Sequence, residues 1–384
     1  MSLLEDFVAE INRSVYYAEF SFTKNNFSPL PGQTKEFADH VIWIDELLML
    51  FQIKERTLPH ADDAAAAKWF RSEVIRTGTR QVRDTLRFLQ EYPSITIENQ
   101  RGHRFDVAQA SVKRCVKIVL YFGGADLPEM CRSVRHHQSQ TAGFIHVMGS
   151  PDYFQVSRTL LTPVEIVEYL EFRERVINRH VGSGLLPSED ALLGQYLCGD
   201  LGAQPSEQFS QYLVKLRQEP TAFDLSGFLG ALGDHLIDGE GYTGGTASYY
   251  PILAEFAKLT RLDLAALKER FLKVGRAADA DHCTLPYRIV SSNSSCGFII
   301  VPITSRTFQH RLSLLKKLTL ASKYECRVTR HVGVAVSRQG GGHLVEWVYA
   351  EGPWTFDERV EAVLRDCYPF RPLRAEGRYR YDFE

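Results

Sequence analysis

Long apolar runs are missing from this chain. No stretch approaches the roughly 20 consecutive apolar residues that a membrane-spanning helix needs, so a membrane protein of that kind is not expected. Paired cysteines are missing too: Cys115, Cys131, Cys198, Cys283, Cys296, Cys326 and Cys367 are scattered, seven in number, and none forms a CxxC pair. That pattern argues against a zinc ribbon and for a reducing compartment. An excess of one charge is also absent, because 45 Lys and Arg face 47 Asp and Glu for a net charge of −2. No global field draws a polyanion, and any nucleic-acid contact has to use a local basic patch. Neither internal repeats nor low-complexity tracts occur. Glu5, Asp6 and Glu10 interrupt any secretory pattern in the opening residues, so the expected location is cytoplasmic.

What is present is a globular composition, 44% hydrophobic and 24% charged over 384 residues. That length exceeds one ordinary core, and two or three domains are expected. Everything is organised around a stretch near the start, residues 36–56. Residues 41–44 and 47–51 are runs of β-branched, aromatic and aliphatic side chains on either side of Asp45-Glu46, which reads as a β-hairpin. Its continuous apolarity suggests strands covered on both faces.

If Asp45 and Glu46 form a two-residue loop, antiparallel partners have numbers summing to 91. Asp39 then lies opposite Gln52, with Lys54 two residues on, and alternation puts all three on one face. A carboxylate, an amide oxygen and an ammonium group converge at the polar end of an apolar hairpin, where burying them alone is costly. Such a group asks for a ligand. Asp39 and the Gln52 carbonyl are hard oxygen donors suited to Mg²⁺ or Mn²⁺, while Lys54 can hold a water or a scissile phosphate. Glu36 faces away by strand parity unless the strand begins only at Phe37. Asp45 reads as a turn residue and Glu55 as solvated.

Asp39, followed after twelve residues by Gln52-Ile53-Lys54, resembles the core of the PD-(D/E)xK nuclease superfamily in its Mrr-like variant, where Gln replaces the acid of the tripeptide. Ala38 stands where the motif usually has Pro. The resemblance covers roughly residues 1–150. It implies a restriction-endonuclease-like α/β fold with a mixed central sheet, and metal-dependent phosphodiester hydrolysis. It also implies a metal held by Asp39 and Gln52, with Glu36 and Glu10 as further acids, and Lys54 as the motif lysine. Glu10 enters because first helices in this superfamily often supply an extra acid. Nucleic acid, DNA before RNA, is the implied partner, and bacterial restriction or phage defence the implied setting. A neutral Gln at position 52 keeps a second class open: a catalytically inactive scaffold on the same fold.

Along the rest of the chain, residues 3–17 read as a helix, and Asp62 as the cap of a long helix over residues 64–90 with a weak point at Gly78. Arg76, Arg80, Arg83 and Arg87 are spaced by four, three and four, one stripe on that helix. The functional reading is contact with phosphates, and the plain one a solvated face. Residues 95–98, 116–122 and 143–148 read as strands, giving about five in an αβββαβ-like set. His146 reads as a core histidine, and Arg132, Arg135, His136 and His137 as a loop cluster able to touch phosphate.

From Thr162-Pro163 the pattern turns helical, so the expected divisions are a nuclease-like domain at 1–150, a helical domain or insertion at 151–285, and a small α+β domain at 286–384. The last would serve a homo-oligomer or a partner protein. Asp234, His235, Asp238 and Glu240 look metal-like but read better as a charged helix end.

Overall fold

A computed structural model describes residues 2–56, 62–180, 186–215, 220–234, 249–291 and 294–373, and the elements and counts below are those of these residues. The chain divides into two compact units between positions 217 and 218.

In the first unit, Ser2 and Glu5 close a capping box on α1 (Leu3–Tyr16), whose Leu4, Val8, Asn12 and Val15 are buried. Then follow β1 (Ser21–Lys24), the short pair β2 (Asn26–Phe27) and β3 (Lys35–Glu36), β4 (His40–Ile44) and β5 (Leu47–Glu55). The hairpin has the expected register: His40 faces Phe51, Ile42 faces Met49 and Ile44 faces Leu47. Asp45 turns the chain with φ of 49°, a conformation Asp tolerates, and its carbonyl accepts the Trp43 indole N–H at 2.9 Å. The Asp-Glu turn holds the register without a glycine.

Asp62 caps α2 (Asp63–Trp69), its side chain accepting the Ala65 N–H at 2.8 Å. The helix runs on as a π-helical segment, Phe70–Gly78, and as α3 (Thr79–Glu91), so the single regular helix expected over 64–90 is in fact three differently wound pieces. Gly78 is the point of closest approach: a Cβ there would lie 2.8 Å from Val119 Cγ1. Next come β6 (Thr96–Asn99), β7 (Arg104–Asp106), β8 (Arg114–Phe122), α4 (Glu129–Arg132), β9 (His136–Ser139) and β10 (Gly143–Gly149).

The sheet is mixed and has eight strands, in the order β7-β6-β1-β4-β5-β8-β10-β9. Three more strands enter than the five expected, because polar edge segments such as residues 136–139 carry no apolar run to announce them. Strand β5 sits in the middle, antiparallel to β4 and parallel to β8 along its whole length, which is why it reads as apolar throughout.

The unit closes with α5 (Ser150–Leu160), α6 (Pro163–His180), α7 (Glu189–Cys198) and α8 (Gln211–Lys215). Arg173 of α6 is fully buried. It donates to Glu189 at 2.7 Å and to the carbonyl of Arg135, and bonds His146 Nδ1 at 3.1 Å, so His146 is a satisfied core histidine. These bonds tie α6 and α7 to the sheet. The helical region expected over 151–285 is therefore not one body, and its first half belongs to the unit that carries the hairpin.

The second unit holds α9 (Ser226–Asp234), α10 (Tyr250–Ala257), α11 (Arg261–Asp279), β11 (Tyr287–Val290), β12 (Cys296–Ile303), α12 (Arg311–Cys326), β13 (Arg330–Gln339), β14 (Gly342–Glu351) and α13 (Glu358–Asp366). Its sheet runs β11-β12-β13-β14, with β12 and β13 parallel across α12. Trp347 is wholly buried among Phe256 and Phe271, a core residue. Thr260 and Asp263 close a capping box on α11, which separates it from α10. Of the metal-like set, His235, Asp238 and Glu240 lie outside the described residues, as does the Asp234 side chain.

Candidate active site

Strand alternation places Leu48, Leu50, Gln52 and Lys54 on one face of β5, and Leu48 and Leu50 pack there with Phe22, Phe37, Val41 and Phe88. The apolar ladder ends where Gln52 and Lys54 begin. Asp39 stands just before β4, and its carboxylate reaches across: Oδ2 accepts the Ile53 backbone N–H at 2.5 Å and lies 3.4 Å from Lys54 Nζ. Lys54 also donates to the Ile53 carbonyl at 3.1 Å. The pair is largely withdrawn from water, with side chains 8% exposed for Asp39 and 14% for Lys54. Burial pushes the Asp39 carboxyl above the usual carboxylate range, and Lys54 and the Ile53 N–H offset only part of that.

Gln52 is buried, 2% exposed, and its Oε1 has no hydrogen-bond partner among the described residues. A buried amide oxygen left unmatched costs about 1–3 kcal/mol, so this acceptor stands ready for a donor or a cation. Glu36 lies on β3, separated from β4 by the non-strand residues Phe37, Ala38 and Asp39, so strand parity does not govern where it points. Its carboxyl is raised, first by partial removal from water and then by the negative charges of Asp39 and Glu5. Glu36 is thus coupled to Asp39.

Glu5 was not foreseen. Its charge raises both carboxyls, and α1 is brought to this end of β5 by the Leu4 N–H, which donates to Glu55 at 3.4 Å. The sequence signal was the capping box Ser2-Leu3-Leu4-Glu5, which points to a helix start and only by position to the site. Glu10 goes elsewhere: it is exposed and pairs with Arg13 at 3.5 Å. Among the described residues, no three His, Cys, Asp or Glu side chains gather into a ready-made metal cluster. The oxygen groups that could hold a hard cation are Asp39, the Gln52 amide and Glu36, the last tied to Asp39 by its electrostatic coupling, while Lys54 faces Asp39.

The expected basic stripe is exposed along its length, at Arg76, Arg80, Arg83 and Arg87. The expected loop cluster is not a free loop: Arg135 bonds Glu189 at 2.6 Å, Arg132 of α4 donates to the Ala125 carbonyl, and His136 of β9 stacks on Phe144 of β10. Comparison of the chain with protein-family models, curated proteins and solved structures finds no match. None of the described helices is long and apolar enough to cross a membrane.

Proposed function

We propose that the first unit is a metal-dependent nuclease of the PD-(D/E)xK type in its Mrr-like form, hydrolysing phosphodiester bonds of nucleic acid, DNA before RNA. The observation that carries this reading is the pairing of Asp39 Oδ2 with Lys54 Nζ at 3.4 Å, beside a buried Gln52 oxygen without a partner. The order of elements is consistent with it: with the short β2 and β3 and the edge strands β6 and β7 set aside, α1, β1, β4 and β5, the helical stretch and the parallel β8 follow one another as in the expected αβββαβ-like set.

The donor set fits a hard divalent cation, with Asp39, Gln52 Oε1 and Glu36 as the groups that would hold it. When bound, Mg²⁺ or Mn²⁺ would polarise the phosphate and acidify a water. The chain's own residues do the rest. The Ile53 N–H and Lys54 Nζ both meet Asp39 Oδ2 and so hold the carboxylate in place. Lys54, anchored on the Ile53 carbonyl, orients a nucleophilic water or balances charge developing on the phosphate.

The alternative is a nuclease-fold scaffold without turnover, favoured by the lack of a three-carboxylate cluster among the described residues. Cleavage assays on duplex DNA, single-stranded DNA and RNA, each with Mg²⁺ and with Mn²⁺, separate the two. Metal-dependent cutting abolished by Lys54→Ala is expected. Cutting that survives this substitution, or no cutting of any substrate, would overturn the nuclease reading.

A further inference from the structure

The arginines of α3 do more than line an exposed face. Arg80, Arg83 and Arg87 meet Asp84, Gln90 and Thr141 around one open groove of about 440 Å³ between α3 and the turn joining β9 to β10. Arg76 is not among its lining residues. Arg87 is held by Asp84 at 3.0 Å and Glu91 at 3.6 Å, whereas Arg80 and Arg83 have no carboxylate partner among the described residues. Arg83 also lies close enough to His137 of β9 to help lower that imidazole's pKa, after burial. Unpaired guanidinium groups three residues apart on a helix repel one another unless an anion lies between them. Gln90 and Thr141 add neutral hydrogen-bond donors at the same place.

Two features define the anion. Arg80 to Arg87 spans seven residues, or about 10 Å along the helix, long enough to meet more than one phosphate of a strand. The lining holds no aromatic ring, only Leu86 as an apolar member, so nothing is offered for a base to stack on. We infer that this groove grips consecutive phosphates along one strand of a nucleic-acid duplex, reading backbone and not sequence. The substrate class rests on the nuclease reading, and the groove supplies hold without chemistry.

The test measures binding of the full chain to two duplexes of unrelated sequence at several salt concentrations in EDTA, where cutting is not at issue. Arg80→Ala with Arg83→Ala should weaken both duplexes alike and lower the slope of log K against log salt by about two units, one per lost phosphate contact. The charge-conserving Arg80→Lys with Arg83→Lys should keep most of that slope, which guards against a merely misfolded variant. Single-stranded DNA should bind no more tightly than duplex, and tripolyphosphate should compete no better than salt of equal ionic strength. An unchanged slope in the alanine variant, a preference for single strands, or displacement by micromolar tripolyphosphate would each overturn the inference. Binding in EDTA with the expected slope, together with no cutting once Mg²⁺ or Mn²⁺ is supplied, would sink the nuclease reading alone.

Discussion

Removing Lys54 should expose how its site is balanced. At 3.4 Å, the attraction between Lys54 and Asp39 is about 5 kcal/mol in an effective dielectric near 20, before the cost of taking both from water. That cost is large here, since burial alone outweighs Lys54 and leaves the Asp39 carboxyl raised. Lys54→Ala therefore strands a buried carboxylate beside Glu36 and Glu5, and cutting one partner from such a pair costs about 3 kcal/mol. For a unit of this size that is about 6–12 °C in melting temperature.

The sign in pH follows from the carboxyl. A folded-state pKa raised above the unfolded one leaves stability intact below the ordinary carboxylate range and removes it as pH rises through the folded value. The loss in Lys54→Ala should thus be near zero at pH 3.5 and full at pH 8. Asp39→Asn takes away the charge that is strained, so it should stay within about 1 kcal/mol of the parent, and added to Lys54→Ala it should restore part of the loss. Thermal and urea unfolding of the two single variants and the double, without divalent metal, measure all of this. Equal destabilisation by Lys54→Ala at both pH values, or a double variant worse than the sum, would refute the reasoning.

Other perturbations test the frame around the site. Burial and the nearby Glu189 push the Asp152 carboxyl up to about 6, so Asp152→Asn should stabilise the protein by about 2–3 kcal/mol at pH 8, less near pH 6, and not below pH 4, as read from melting curves over that range. Glu189 has the opposite sign: Arg173 and Arg135 more than offset its burial and hold its carboxyl low, so Glu189→Gln should cost about 3–5 kcal/mol at neutral pH, seen as an early urea transition. Gly78→Ala favours helix by about 1 kcal/mol yet drives a methyl to 2.8 Å from Val119 Cγ1. A net loss of about 1–2 kcal/mol is expected, and a gain would show that β8 gives way.

The local pattern of the sequence already contained the hairpin. Two apolar runs separated by one polar pair leave a single turn position, and the period of two then sets which residues share a face, so Asp39, Gln52 and Lys54 followed by arithmetic. The helix cap at Asp62 was equally legible, because a cap is a contact between near neighbours in the chain.

Contacts between distant segments were decided only in the tertiary structure. Glu5 rather than Glu10 meets the site because packing of Leu4 and Val8 fixes which side of α1 is turned inward and brings its start to the end of β5. Glu36 is coupled to Asp39 because the chain leaves strand geometry between them, which alternation could not foresee. The helices after residue 150 join the first sheet through the buried charges of Arg173 and Glu189, residues that sequence reasoning assigns to surfaces. Burial, the property that raises Asp39 and leaves Gln52 without a partner, exists only once those segments have met.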